Sequence, residues 1–171
     1  MRSAAQAHFH DPRGFAFLGA LCRRWREILA EYLAVRDRAV EWVERDLHGG
    51  GWKVFGLYDF PSGAPLPDNV ARCPFTAALI ASHVPRHGAA GFSVLRPGTR
   101  IQAHTGYRGE FLRCHLGLRV PRGDCGLRVG GELRRWRAGE ALVLDDRFEH
   151  EAWNLAPRER VVLLVDFVPG R

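Results

Sequence analysis

Lysine is all but missing from this chain of 171 residues: Lys53 is the only one, and arginine carries the rest of the positive charge. The formal net charge of +6 has the right sign for nucleic acid or an anionic surface. No Lys/Arg block appears, however, and the bases are interleaved with acids, so no nucleic-acid partner is expected. Cysteine is scarce. Cys22, Cys73, Cys114 and Cys125 form no C-x-x-C pair, and reduced thiols in the cytoplasm are the expectation. Met1 to Pro12 lacks the charged, apolar, small-residue layout of a secretion signal. The apolar runs fall far short of the roughly 20 residues of a membrane-spanning helix, so no span is expected. There is no G-x-G-x-x-G and no βαβ alternation, which argues against a nucleotide-binding fold.

What is present is ordinary in bulk. A hydrophobic content of 46% and a charged content of 26% suit a soluble globular chain, and the length suits one domain over 1–171. From Gly14 to Leu47, apolar residues such as Phe17, Leu21, Trp25, Ile28, Leu29 and Tyr32 recur at three- and four-residue steps. That predicts one long helix, or two broken near Arg36–Arg38, packed on the next layer. Residues 1–13 read as a loosely held start. Glycines 49–51 stop the helix, Trp52–Tyr58 alternates as a strand, and Phe75–Ile80 reads as a short helix. His83 and His87 are at helical spacing, but Pro85 between them leaves them loop or surface residues. After Gly91 the texture changes to eight short strands separated by turns such as Pro97-Gly98, Gly130-Gly131 and Ala138-Gly139. A mainly β fold of jelly-roll type follows, with the helices laid on its sheet and the site carried by residues 91–168.

Two of these strands carry unusual faces. In Phe111–Val120, Leu112, Cys114, Leu116, Leu118 and Val120 point one way, and Phe111, Arg113, His115, Gly117 and Arg119 the other. A basic, imidazole-bearing face beside a glycine is either exposed or the floor of a polar pocket. In the closing strand Arg160 shares its face with Val162, Leu164 and Asp166, while Val161, Leu163, Val165 and Phe167 form the other. A strand apolar on both sides is buried, so Arg160 needs an anion, either an internal carboxylate or a ligand. His104 and His150 are candidate ligands for iron, copper, zinc or nickel. The common iron site adds a carboxylate two positions after the first histidine, where this chain has Gly106. The acids Asp145, Asp146, Glu149 and Glu151 crowd His150 and are candidates to orient its ring.

Ser93, His104-Thr105-Gly106, Arg113-x-His115-Leu116-Gly117-Leu118, Arg128, Trp136-x-x-Gly139, the run from Asp145 to Trp153, Arg160 and Asp166 together resemble the aspartyl/asparaginyl β-hydroxylase family. The resemblance is weak from Trp25 and strong from Gly91. It implies a double-stranded β-helix and an Fe(II)- and 2-oxoglutarate-dependent oxygenase that uses O2 and releases succinate and CO2. By the same resemblance His104 and His150 would hold the metal without a third protein ligand. Ser93 and Arg160 would bind the distal carboxylate of 2-oxoglutarate, Arg113 and His115 its metal-proximal one. Members acting on aspartyl residues carry an arginine where this chain has Phe111, which turns the expectation from aspartyl peptides toward a small molecule, with free amino acids, carrier-bound or natural-product intermediates, peptide residues and lipid acyl chains as the range. Trp52 aligns roughly with a pocket wall, so Trp52 and Phe111 are the expected substrate contacts.

Two other classes compete with this reading. A cupin-like binding or sensor domain would hold a metal or a small acid without turnover, but it would have no need of Ser93, Arg113, His115 and Arg160 together. A basic β-sandwich on nucleic acid would show salt-sensitive binding and no response to metal. The sequence leaves open whether the early helices cover the sheet or meet a second copy of the chain.

Overall fold

The computed structural model describes residues 7–107 and 109–170. Among these residues the chain forms eleven strands in two antiparallel sheets, with helices covering one of them. In chain order the strands are β1 (Phe9–His10), β2 (Val40–Glu41), β3 (Trp52–Tyr58), β4 (His87–Leu95), β5 (Thr99–His104) and β6 (Leu112–Arg119). They continue with β7 (Cys125–Val129), β8 (Glu132–Arg134), β9 (Ala141–Leu144), β10 (His150–Asn154) and β11 (Arg160–Phe167). The larger sheet runs β1-β9-β6-β11-β4-β3-β2 and the smaller β5-β10-β7-β8. Strands β4 to β11 thus make a jelly roll of four strands facing four, and β1, β2 and β3 widen its larger sheet.

The period-two faces of β6 and β11 produce two separate cores. Leu112, Cys114, Leu116 and Leu118, with Val161, Leu163, Val165 and Phe167, turn outward under the helices. Those helices are α1 (Leu18–Arg23), α2 (Trp25–Val35), α3 (Pro67–Arg72) and α4 (Pro74–His83). Ile28, Tyr32 and Val35 of α2 and Ala77 and Ile80 of α4 close that layer. The second core lies between the sheets, where Leu95, Ile101, Leu127, Val129, Leu144 and Val162 pack with Trp136. The polar residues on the inner faces of β6 and β11 open into this space.

Several expectations need correction. The helical reading of 14–47 runs too long: helix ends at Val35, Arg36–Arg38 is a 3-10 turn, and Val40–Glu41 is a strand paired with Lys53 and Val54 of β3. Val40, Trp42 and Val43 fit a helical period, but the edge of β3 offered hydrogen bonds that a short isolated helix end could not match. The loosely held start is also incomplete as a description. Residues 1–6 lie outside the described residues, while Phe9 and His10 pair with Leu144 and Val143 of β9. Strand β4 begins at His87, so this histidine lies in the sheet with its ring on Tyr58, at a centroid distance of 4.4 Å. No helix is long and apolar enough to cross a membrane among the described residues.

Candidate active site

His104 ends β5 and His150 begins β10, and the two are direct cross-strand partners. Antiparallel pairing therefore does what sequence distance hides, placing the ring centroids 4.3 Å apart. Each ring is held the same way. Nδ1 of His104 lies 2.7 Å from the carbonyl of Gln102, and Nδ1 of His150 lies 2.9 Å from that of Phe148. A carbonyl only accepts, so in each neutral ring Nδ1 carries the proton and Nε2 keeps its lone pair for a ligand. Burial pushes the pKa of His150 down to about 4, so it is unprotonated at neutral pH. The orienting groups are backbone carbonyls rather than the acids that crowd His150 in sequence.

One of those acids has another place. A Cβ at Gly106 would run into the Asp146 carboxylate, and the Gly106 N–H donates to the Asp146 carbonyl at 2.7 Å. The glycine two positions after His104 thus leaves room for a carboxylate delivered from the β9–β10 connection. Asp146 is buried, which raises its pKa against the pull of Arg113, whose Nη1 lies 3.2 Å away. The residue before β1 braces the same connection: the Asp145 N–H donates to the His8 carbonyl at 3.0 Å, and the His8 ring packs edge-on to Phe148. Either Gly106→Ala or Gly106→Asp is expected to lower thermal stability by about 5 °C, since the new side chain must displace Asp146 from Arg113 at roughly 1–2 kcal/mol. A calorimetric melt unchanged from the parent would show that Asp146 is free to move away.

Arg113 faces inward as expected, but its fork is already engaged. Nε and Nη2 donate to the two oxygens of Asp166 at 2.7 and 2.9 Å, across the β6–β11 pairing that sets the two residues opposite each other. Arg113 works against its own burial, but Asp166 and Asp146 hold its pKa above the usual value. It therefore ties β6 and β11 to Asp146 instead of offering a free pair of donors.

Arg160 is the opposite case. It is 1% exposed, and among the described residues it makes no ion pair. Nη2 donates to the carbonyl and to Oγ of Ser93, both at 3.1 Å, and Nε has no partner among the described residues. Burial pushes its pKa down to about 10. Trp52 donates from Nε1 to the same Ser93 Oγ at 3.1 Å and packs on Trp42 and His48. This places Trp52 at the Arg160 end of the interior. His115 is also buried, its pKa falls well below the usual value by desolvation and by the nearby arginines, and its Nε2 has no partner among the described residues.

Phe111 lies at the other end, at the mouth. Its ring is 6.4 Å from that of Tyr107, which meets Phe60 edge-on at 5.3 Å. Phe60 and Tyr107 are exposed. Tyr107 follows His104 by three residues, so this aromatic cluster is joined directly to the segment that carries the first histidine. Phe60 was not legible as a site residue because it comes from the turn after β3, far away in sequence. Trp136, also unassigned by sequence reasoning, lies between His115 and Arg160; its one local sign was the Trp136-x-x-Gly139 turn itself.

The sequence model of the family described as "Aspartyl/Asparaginyl beta-hydroxylase" matches residues 22–169. An ornithine lipid ester-linked acyl 2-hydroxylase from Rhizobium tropici is 42% identical over 119 residues, 68% of this chain and 41% of that protein. The human aspartyl/asparaginyl beta-hydroxylase is 34% identical over 155 residues, 86% of this chain and 20% of that protein. The chain therefore spans less than half the length of these relatives. Among solved structures, a Pseudomonas putida prolyl-4-hydroxylase superposes with a TM-score of 0.51 at 19% identity, covering 97% of this chain and 91% of that one. A predicted oxalate decarboxylase from Thermotoga maritima gives 0.50 at 12% identity, over 77% and 92%. These two likenesses bear on the jelly-roll fold.

Proposed function

Since the chain belongs to the aspartyl/asparaginyl β-hydroxylase family, we propose that it is an Fe(II)- and 2-oxoglutarate-dependent dioxygenase that hydroxylates an aliphatic carbon of a small, largely apolar substrate. The observation that carries this reading is Arg160: a fully buried guanidinium without a carboxylate partner among the described residues, beside a second buried donor, His115 Nε2, that also lacks one. Unpaired buried cations are costly, and a small diacid supplies the missing charge and acceptors. The residues present also fit a metal, because His104 and His150 present two Nε2 lone pairs side by side, each fixed by its own carbonyl.

In this reading His104 and His150 hold the iron, and Ser93 and Arg160 anchor the distal carboxylate of 2-oxoglutarate. When bound, the iron supplies the redox chemistry by which O2 and 2-oxoglutarate become succinate and CO2 while one oxygen atom enters a substrate C–H bond. The protein's own part is orientation. His115 offers one neutral donor to the metal-proximal end of the oxoacid. Arg113, neutralised by Asp166, holds Asp146 in the space beside Gly106 and so fixes a carboxylate close to the histidine that would hold the iron. The apolar interior around Val129, Leu144 and Val162 keeps bulk water from the reacting carbon.

The aromatic rim supports an apolar substrate arm. Phe60, Tyr107 and Phe111 offer ring faces and edges to a carbon chain but no positive charge for a side-chain carboxylate. An acyl chain fits this chemistry, and an ester-linked acyl group is what the Rhizobium tropici relative is named for.

The test is spectroscopic and then catalytic. Without oxygen, Fe(II) plus 2-oxoglutarate should give the visible absorption of an iron–oxoacid chelate, and admitting O2 with an acyl substrate should release succinate. No absorption would refute the assignment. Absorption without succinate over a panel of acyl, amino-acid and aspartyl-peptide substrates would favour a binding or sensor domain instead. Within the panel, Phe111→Arg should slow turnover of an acyl substrate about tenfold, since a charge beside a carbon chain costs about 1.4 kcal/mol. Unchanged kinetics would remove Phe111 from the substrate contacts.

A further inference from the structure

We propose that Trp136 is the positioning residue of the oxoacid pocket, holding His115 by its indole N–H and Arg160 by its ring face. The proposal rests on the pocket being the oxoacid site. Trp136 is 3% exposed, and its Nε1 lies 3.2 Å from Nδ1 of His115. The same ring lies under the Arg160 guanidinium, with Cζ 4.5 Å from the centroid. One side chain therefore touches two buried residues that each have a nitrogen without a partner among the described residues, His115 Nε2 and Arg160 Nε.

The indole N–H can only donate. His115 Nδ1 must therefore accept, and the proton of the neutral ring belongs on Nε2. Without that bond the two tautomers of a buried imidazole would compete, and one of them offers an acceptor where a carboxylate needs a donor. Near-parallel packing, with rings 26° apart and centroids at 6.1 Å, leaves His115 little freedom to turn. On the other side, the ring's negative face meets a guanidinium that no carboxylate neutralises, and steadies it without using up its hydrogen-bond donors.

The chain invests backbone in placing this tryptophan. The segment after β8 crosses β6 at Gly117, whose N–H donates to the Glu140 carbonyl at 3.0 Å and whose carbonyl accepts from Gly139 at 2.8 Å. A Cβ at Gly117 would collide with the Arg137 carbonyl. Only glycine lets the crossing come this close, and the crossing aims Trp136 between the sheets.

Two variants separate the two contacts. Trp136→Phe keeps a ring for Arg160 and loses the donor, and Trp136→Leu loses both. In the metal-free parent, nitrogen NMR of the His115 ring, assigned by its loss in His115→Gln, should report the Nε2–H tautomer alone. Trp136→Phe should give a mixture of tautomers and bind 2-oxoglutarate roughly tenfold more weakly by calorimetry, and Trp136→Leu roughly a hundredfold. In turnover, Trp136→Phe should raise the KM for 2-oxoglutarate while the KM for the hydroxylated substrate stays put, a split that general loosening of the core would not give. If Trp136→Phe keeps both the single tautomer and the parent's affinity, Trp136 is a packing residue and the proposal is wrong. A parent that binds no 2-oxoglutarate would overturn the oxoacid reading itself, and this proposal with it.

Discussion

Arg160→Met should yield a protein that is more stable than the parent when empty and almost unresponsive to 2-oxoglutarate. Met keeps an unbranched apolar stem and ends near the position of Nε, so the substitution removes the charged fork and leaves the buried stem apolar. In the parent, burial lowers the Arg160 pKa to about 10, well below that of a free guanidinium. At neutral pH that shift corresponds to a folding penalty of about 3 kcal/mol. Set against it are the two bonds that the single Nη2 shares between the Ser93 carbonyl and Oγ, together about 1 kcal/mol, and the contact with Trp136, about 1 kcal/mol. The net gain expected for Arg160→Met is about 1 kcal/mol, a rise in Tm of about 2–4 °C.

The sign can be checked against pH. A base whose folded pKa is depressed is held less tightly by the folded chain than by the unfolded one. The penalty is therefore complete below about pH 10 and relaxes only as pH rises from there toward the range where a free guanidinium titrates. The advantage of Arg160→Met should stay level across neutral pH and shrink only in strong alkali. Ligand binding should move the other way. Losing a buried guanidinium–carboxylate contact costs roughly 3 kcal/mol, so the Kd for 2-oxoglutarate should rise about a hundredfold, and the thermal shift that the oxoacid gives the parent should vanish. A variant that melts below the parent and still responds to 2-oxoglutarate would mean that Arg160 is structural and that the anion site lies elsewhere.

This opposition between stability and binding explains why some of the site was legible in the sequence. An arginine heading a strand otherwise as apolar as Val161 to Val165 conflicts with its surroundings, and such conflicts collect where a ligand resolves them. The inward Arg113 and His115 were legible for a related reason: alternation along β6 is a local property, and eight residues suffice to show it. What stayed hidden depends on pairing between distant segments. Asp166 lies directly opposite Arg113 only because β11 runs antiparallel to β6 in that register, and nothing in either segment announces it. Two-residue strands such as β1 and β2 carry too few side chains for any period, so β2 was absorbed into the helix before it. Aromatic rings are common along the whole chain, so nothing marked Phe60 and Tyr107 as the rings that would join Phe111.

His104→Ala is the second large effect, and the choice of this histidine over its partner follows from burial. His150 is 8% exposed, so truncating it would leave a cavity, and lost function could then be blamed on lost folding. His104 is only half-buried, and its main protein contact is the 2.7 Å bond to the Gln102 carbonyl. Its removal should change stability by no more than about 1 kcal/mol. The functional loss should be far larger, because a site with two protein ligands has no third to share the load. Fe(II) affinity should fall roughly a hundredfold or more and turnover by at least as much, with the iron–oxoacid absorption lost at Fe(II) concentrations that saturate the parent. Calorimetric binding of 2-oxoglutarate without metal should survive, since Arg160, Ser93 and His115 are untouched. That pattern, metal binding lost and acid binding kept, is the mirror image of the one expected for Arg160→Met. If His104→Ala keeps the absorption, the metal is held elsewhere. If it loses both kinds of binding, the two ends of the pocket are not independent, and the division of labour between the histidine pair and the buried arginine has to be redrawn.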